Sequence, residues 1–324
     1  MSLIVCTFNR ADSLRQTLQS LITQTVPAGS LEIIVVDNHS TDHTSSVVEQ
    51  MSAQSPWPVR QVREPRQGVG YARNCGLEHA QGDYVAFIDD DAMARPGWVA
   101  ALLDSFAATP ADLVGGKIDP LWLTARPGWL TDDLLGPVVA LDFGPFRKRC
   151  TSPREVFLTT NCALRQASVS RYGGFDSTLG RRGARWVGGE DVELCQRWLA
   201  RGACLVYEPA AVVQHKVNPE RVSPAFLRRW FEDIGHTQAH QSPWKWHHRL
   251  SLLPAWEWGR LAGAATRYAR ARWIGSHEVT RLPAELWWRF HRGFAQERWD
   301  HWRSQWTGDG ARGCHFASEA QEIA

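Results

Sequence analysis

The 324-residue chain lacks any apolar run of the length a membrane span needs, and its first strand-like segment begins within three residues of Met1. It is therefore expected to carry no signal peptide and no transmembrane helix, to have its natural start slightly upstream, and to work in the cytoplasm or at the inner face of the cell membrane. Paired cysteines are missing too. The seven at positions 6, 75, 150, 162, 195, 204 and 314 form no C-x-x-C and no zinc spacing, which predicts reduced, buried thiols rather than a disulfide framework. Gly68-Val69-Gly70 has no third glycine and does not follow the first strand, so the dinucleotide-binding fingerprint is absent. A net charge of +5 spread over the 109 residues from 216 to 324 is thin for nucleic-acid binding, and no recognisable nucleic-acid module is present.

What is present is a regular alternation of strand and helix patterns. Leu3-Ile4-Val5-Cys6-Thr7-Phe8-Asn9-Arg10 reads as a short strand and a polar turn, after which Asp12 or Ser13 is expected to cap a helix carrying Leu14, Leu18, Leu21 and Ile22 on one face. Leu31 to Val36 is a second strand, and Asp37-Asn38-His39-Ser40-Thr41-Asp42 leaves it for another capped helix. Val59 to Val62 is a third, and Asp83 to Ile88 a fourth, ending in Asp89-Asp90-Asp91. This order predicts βαβ units and a mainly parallel sheet. In such sheets ligands bind at the carboxyl ends of strands, where the aspartates sit. Asp89 and Asp91, two residues apart, can share a hard divalent cation, and Mn²⁺ or Mg²⁺ takes such oxygen ligands. A bare Asp triplet is more often a solvated turn, so its weight comes from the series around it.

That series resembles the family 2 glycosyltransferases of the GT-A fold, which are inverting enzymes using nucleotide-sugar donors. The matching pieces are Thr7-Phe8-Asn9-Arg10, Val36 to Asp42, Ala72-Arg73-Asn74-Cys75-Gly76, Asp89-Asp90-Asp91 and Gly188-Gly189-Glu190-Asp191, over about residues 3 to 217. The resemblance implies a Rossmann-like sheet flanked by helices, with a donor-binding half at about 1–118 and an acceptor half at about 119–217. It places Thr7, Phe8, Asn9, Arg10, Asp37, Asn38, Arg73, Asp89, Asp90, Gly188 and Gly189 on the donor, with Phe8 stacking on the nucleobase and Asp37 accepting from a base N–H. Asp91, with Asp89, is implied as metal ligand, and His215 as the residue completing that site, although a lone histidine at a strand end is more often structural. Asn161, in Thr159-Thr160-Asn161-Cys162, is a candidate sugar contact.

Glu190 and Asp191 head a helical pattern, and adjacent helical residues point about 100° apart, so one of the pair is expected to face the acceptor. The resemblance implies Asp191 as general base and Glu190 as support, while first-turn acids are also favoured by the helix dipole alone. Leu179 to Gly189 is too glycine-rich for a helix or a central strand and is expected to be a mobile loop. Its Arg181, Arg182 and Arg185, with Trp186, would clamp phosphate or a charged acceptor, or simply be solvated. UDP-sugars are the commonest donors implied, with GDP- and dTDP-sugars as alternatives, and a glycan or lipid-linked molecule is the implied acceptor in cell-surface polysaccharide or glycolipid assembly. Gln196-Arg197-Trp198 does not have the Q-x-x-R-W spacing of processive synthases. A nucleotidyltransferase would show a Gly-rich basic loop after its first strand, and a catalytically inactive scaffold would have no reason to keep Asp91, Asp191 and His215.

Composition breaks near residue 216. Residues 216–324 hold 16 Lys+Arg against 11 Asp+Glu, and 11 of the 17 tryptophans, as in Trp244-Lys245-Trp246-His247-His248-Arg249 and Trp287-Trp288-Arg289. Several short amphipathic helices are expected over 218–307, followed by a polar tail at 308–324. Trp-rich basic helices can lie in a bilayer interface or pack onto a neighbouring domain, and both readings stay open.

Overall fold

The computed structural model describes residues 1–27, 29–182, 185–241, 255–274 and 277–307. The chain divides into two compact units, one from Met1 to Ser223 and one from Pro224 onward.

The first unit is built on β1 (Ser2–Thr7), β2 (Glu32–Asp37), β3 (Val59–Arg63) and β4 (Tyr84–Phe87). These run parallel in the order β3-β2-β1-β4. They are joined by α1 (Ala11–Ile22), α2 (Thr44–Gln54) and α3 (Val69–His79). Ile33 to Val36 and Leu3 to Val5 are fully buried, as continuous apolar strands covered on both faces must be. Beyond β4 the sheet becomes mixed, continuing through β5 (Ala92–Ala94), β6 (Leu113–Trp122), β7 (Lys148–Cys150), β8 (Cys162–Arg165) and β11 (Leu205–Val217). β8 is antiparallel to β4 and β6, whereas β11 is parallel to β6. The mixed α/β sheet flanked by helices matches the expected class.

Two local expectations are corrected. α1 begins at Ala11, without a side-chain cap from Asp12 or Ser13; the Ala11 N–H instead donates to Asp42 Oδ2 at 3.0 Å, so the cap comes from the loop after β2. The glycine-rich segment before Glu190 forms a small antiparallel ribbon, β9 (Gly180–Arg182) and β10 (Arg185–Val187), separate from the main sheet. α4 (Trp98–Ala108) and α5 (Gln166–Tyr172) flank the sheet, and α6 (Glu190–Ala200) follows the ribbon.

The second unit holds α7 (Pro224–Gln241), α8 (Ala255–Trp273) and α9 (Glu278–Thr307), longer elements than the short helices expected. α7 and α9 approach closely at Gly235 and Gly293, where an added Cβ would lie 2.1 Å from Phe290 O and 2.3 Å from Glu232 O. Charged pairs fasten the same two helices, among them Arg228 to Glu285 at 2.9 Å and Arg289 to Glu232 at 3.1 Å. Phe231 meets Trp287 edge-on at 5.6 Å. Trp244 to Arg249 and the tail from 308 lie outside the described residues. Among the described residues no helix is long and apolar enough to cross a membrane.

Candidate active site

The parallel register sets Thr7, at the end of β1, opposite Asp37 at the end of β2, and brings the aspartates after β4 alongside. The loops leaving β1 and β2 are laced together. Asn9 and His39, the two non-glycine residues at positive φ (52° and 73°) among those described, sit in them. Asn9 Oδ1 accepts from Thr41 N at 2.7 Å, and Asn9 N donates to Ser40 Oγ at 3.0 Å. This leaves Phe8 46% exposed at the mouth, a large apolar ring held in water where a planar ligand could cover it. Asp37 is buried and accepts from Ser40 N at 2.8 Å.

Several residues expected on the donor are engaged by the protein instead. Asn38 Nδ2 donates to Glu64 O and Arg66 O, and its Oδ1 accepts from Gly68 N at 2.9 Å, so the amide anchors the loop into α3 and has no free donor. Asn161 likewise accepts from Trp98 Nε1 at 2.8 Å and donates to Lys117 O and Ala211 O at 2.7 and 2.8 Å. Buried at 1% exposure with both amide hydrogens used, it ties β6, β11 and α4 together rather than facing a sugar. Arg10 Nη1 reaches Asp90 at 3.1 Å and Asp91 at 2.8 Å, which turns it toward the acids. Arg73 is captured by two acids: it donates to Glu190 and lies 3.8 Å from Asp89, buried between the two clusters.

The three aspartates have different surroundings. Asp89 is half-buried and its Oδ2 accepts from Thr160 Oγ1 at 2.5 Å. Asp90 points inward to Thr7 Oγ1 at 2.7 Å, and burial pushes its pKa up to about 6 despite Arg10. Asp91 is also buried. Burial opposes its ionisation, but His215 Nε2 at 3.2 Å, Arg221 Nη2 at 3.0 Å and Arg10 together hold its pKa well below the usual carboxylate range.

His215 lies within β11, paired opposite Ala92 of β5, which is how a residue far along the chain meets the Asp run. Asp89, Asp91 and His215 each bring a ligand atom within 4.8 Å of the others. Two carboxylates and an imidazole suit a divalent cation such as Mn²⁺ or Mg²⁺, so the donor set fits the expected metal. The buried His215 Nδ1 has no hydrogen-bond partner, leaving Nε2 as its engaged atom.

Glu190 and Asp191 open α6 behind Gly189, whose φ of 96° turns the chain into the helix, with Gly188 half-buried before it. Glu190 is buried on Arg73, while Asp191 is half-buried and accepts from Val192 N at 2.8 Å. Burial, reinforced by the Glu190 charge, pushes the Asp191 pKa up to about 7. The backbones of Arg181, Arg182, Arg185 and Trp186 form the ribbon, and their side chains lie outside the described residues. Sequence reading missed Thr160 and Arg221. Arg221 closes a 3-10 turn at Pro219–Val222, and Pro219 is the one local sign of that turn.

A glycosyl transferase family 2 model matches residues 2–173. The chain is 29% identical over 267 residues to succinoglycan biosynthesis protein ExoM of Rhizobium meliloti, covering 82% of this chain and 81% of that one. It is 28% identical over 221 residues to the glucosyl-dolichyl phosphate glucuronosyltransferase of Haloferax volcanii, covering 67% and 69%. Its fold is that of mannosyltransferase PcManGT from Pyrobaculum calidifontis, solved with GDP-Man and Mn²⁺, with a TM-score of 0.59 at 20% identity over 92% of this chain and 87% of that one. A parallel sheet with acids at its carboxyl edge, a second acidic pair heading a helix and a family model over more than half the chain agree: the protein belongs to glycosyl transferase family 2.

Proposed function

We propose that the protein moves a sugar from a nucleotide-diphospho-sugar to an acceptor hydroxyl with inversion at the anomeric carbon. The observation that carries this reading is the meeting of Asp89, Asp91 and His215, from two distant segments, at the carboxyl edge of the sheet. Asp89, Asp91 and His215 would hold Mn²⁺ or Mg²⁺, which would supply counter-charge to the departing nucleoside diphosphate. Phe8 offers a stacking face for the base and Asp37 an acceptor for a base N–H. Asp191 takes the proton of the acceptor hydroxyl as its oxygen bonds to the anomeric carbon and the bond from that carbon to the diphosphate breaks on the opposite face. A pKa of about 7 suits a general base working near neutral pH. Glu190 and Arg73 fix the head of α6 against the Asp run. UDP is the proposed nucleotide, and a glycan or lipid-linked molecule the acceptor, in cell-surface polysaccharide or glycolipid assembly. Peripheral membrane contact through 218–307 belongs to the same reading.

The test is calorimetry with a nucleotide-sugar panel, in Mn²⁺ and again in EDTA, on the parent and on Asp91→Ala. Metal-dependent binding of one donor, lost in the variant, is the expected result. No binding of any donor by folded protein would favour a scaffold role without catalysis.

A further inference from the structure

In the second unit, α8 buries one side against α9. Ala264 is fully buried there, and Glu257 meets His291 Nδ1 at 2.7 Å. Turned away from that side are Trp258, Ala262, Ala265, Ala269 and Trp273, which at 100° per residue fall within an arc of about 80°. Trp258 is 47% exposed, Trp273 92% and the following Ile274 66%. The alanines between the two indoles offer no polar side-chain group, and the neighbouring Thr266 spends its hydroxyl on Ala262 O. Charge on this helix has one sign in solvent: Arg260, Arg267, Arg270 and Arg272 are exposed, while its single acid, Glu257, is the buried residue on His291. Arg270 and Arg272 project on opposite flanks of the apolar arc.

We infer that this face of α8, centred on Trp273 and Ile274, docks on an anionic lipid surface. The inference rests on the reading of peripheral membrane contact and gives it residues and a lipid charge. Indoles settle at the headgroup level of a bilayer, and arginines beside them meet lipid phosphates. Charge complementarity selects this occupant. A basic rim around an apolar strip complements the negative charge of an anionic lipid surface.

The experiment is sedimentation of the full chain with phosphatidylcholine vesicles, with and without phosphatidylglycerol, at low and high salt. The expected result is partition onto the anionic vesicles alone, weakened by salt. Arg270→Gln with Arg272→Gln should weaken it about 25-fold, at roughly fivefold per arginine. Trp273→Ala with Ile274→Ser should weaken it about tenfold. No partition onto anionic vesicles, or partition unchanged in both variants, overturns the inference. So does a concentration-dependent dimer, seen by light scattering without lipid and abolished by Trp273→Ala, since the face would then join two copies. Asp91→Ala should partition as the parent does, which separates failure of docking from failure of the transfer reading.

Discussion

The acids after β4 and the acids heading α6 are the same chemical groups in opposite electrostatic settings. Asp91 is buried, yet His215, Arg221 and Arg10 converge on it and keep it ionised far below the usual range. Asp191 is pushed up to about 7 by burial and by Glu190, whose own carboxylate has taken Arg73. A carboxylate that must coordinate a cation has to be charged throughout the working pH range. One that must accept a proton gains from sitting near neutrality. The arginines differ between the two settings: Arg10 and Arg221 lie on Asp91, and Arg73 gives its hydrogen bond to Glu190 rather than to Asp191.

Collapsing the first setting should have the largest effect. Asp91→Asn removes the ligand charge while keeping the shape, and transfer should fall by about 10³-fold or more, with metal-dependent donor binding lost in the same titration. Asp191→Asn should cost about 10²–10³ in kcat while metal-dependent donor binding stays intact, which tells the two clusters apart by calorimetry and turnover together. The same variant tests the raised pKa by stability. An aspartate whose folded pKa lies above its unfolded value gives stability that is complete below the unfolded pKa of 3.8 and is lost as pH rises through about 7. Asp191→Asn should therefore melt higher than the parent at pH 8, with the margin shrinking toward pH 4.

A subtler break acts on the acid limb of kcat/KM, which should bend near pH 7 in the parent as Asp191 loses its proton. Glu190→Gln removes the charge that raises Asp191 and leaves Arg73 to lower it. The limb should shift to lower pH, by about one unit in a pH–rate profile. An unmoved limb would mean that Asp191 is not the titrating base.

These settings were only partly legible in the sequence. The four parallel strands and both acidic clusters could be read because each is a local pattern, an apolar run closed by acids or glycines closed by acids. Asn38 and Asn161 were misread because an amide in a motif looks the same whether it faces a ligand or the backbone. Their carbonyl and N–H partners are supplied by loops and strands tens of residues away. Arg10 is placed on the donor by the resemblance alone; its pairing with Asp90 and Asp91 follows from the parallel register of β1 and β4, which no local pattern announces. His215 was found through its place in the series, but Arg221, 130 residues from Asp91, has no periodicity to mark it. The turn carrying Arg221 belongs to the first unit, which runs to Ser223 before Pro224 opens α7.

Arg221 supplies the smallest and most discriminating prediction. It shares Asp91 with Arg10 and His215, so Arg221→Ala leaves the carboxylate with two cationic or donor partners rather than none. Its loss should cost about 1 kcal/mol at pH 7, well short of the cost of leaving a buried charge uncompensated. Asp91 has a depressed folded pKa, so its stabilising contribution is present above the unfolded value and disappears as pH falls through the folded one. Weakening its partners raises the folded pKa, and acid unfolding of Arg221→Ala should begin at higher pH than in the parent. Circular dichroism followed from pH 7 downward reads this directly. A variant that loses stability equally at every pH would show that Arg221 packs the turn at Pro219–Val222 without setting the charge of Asp91.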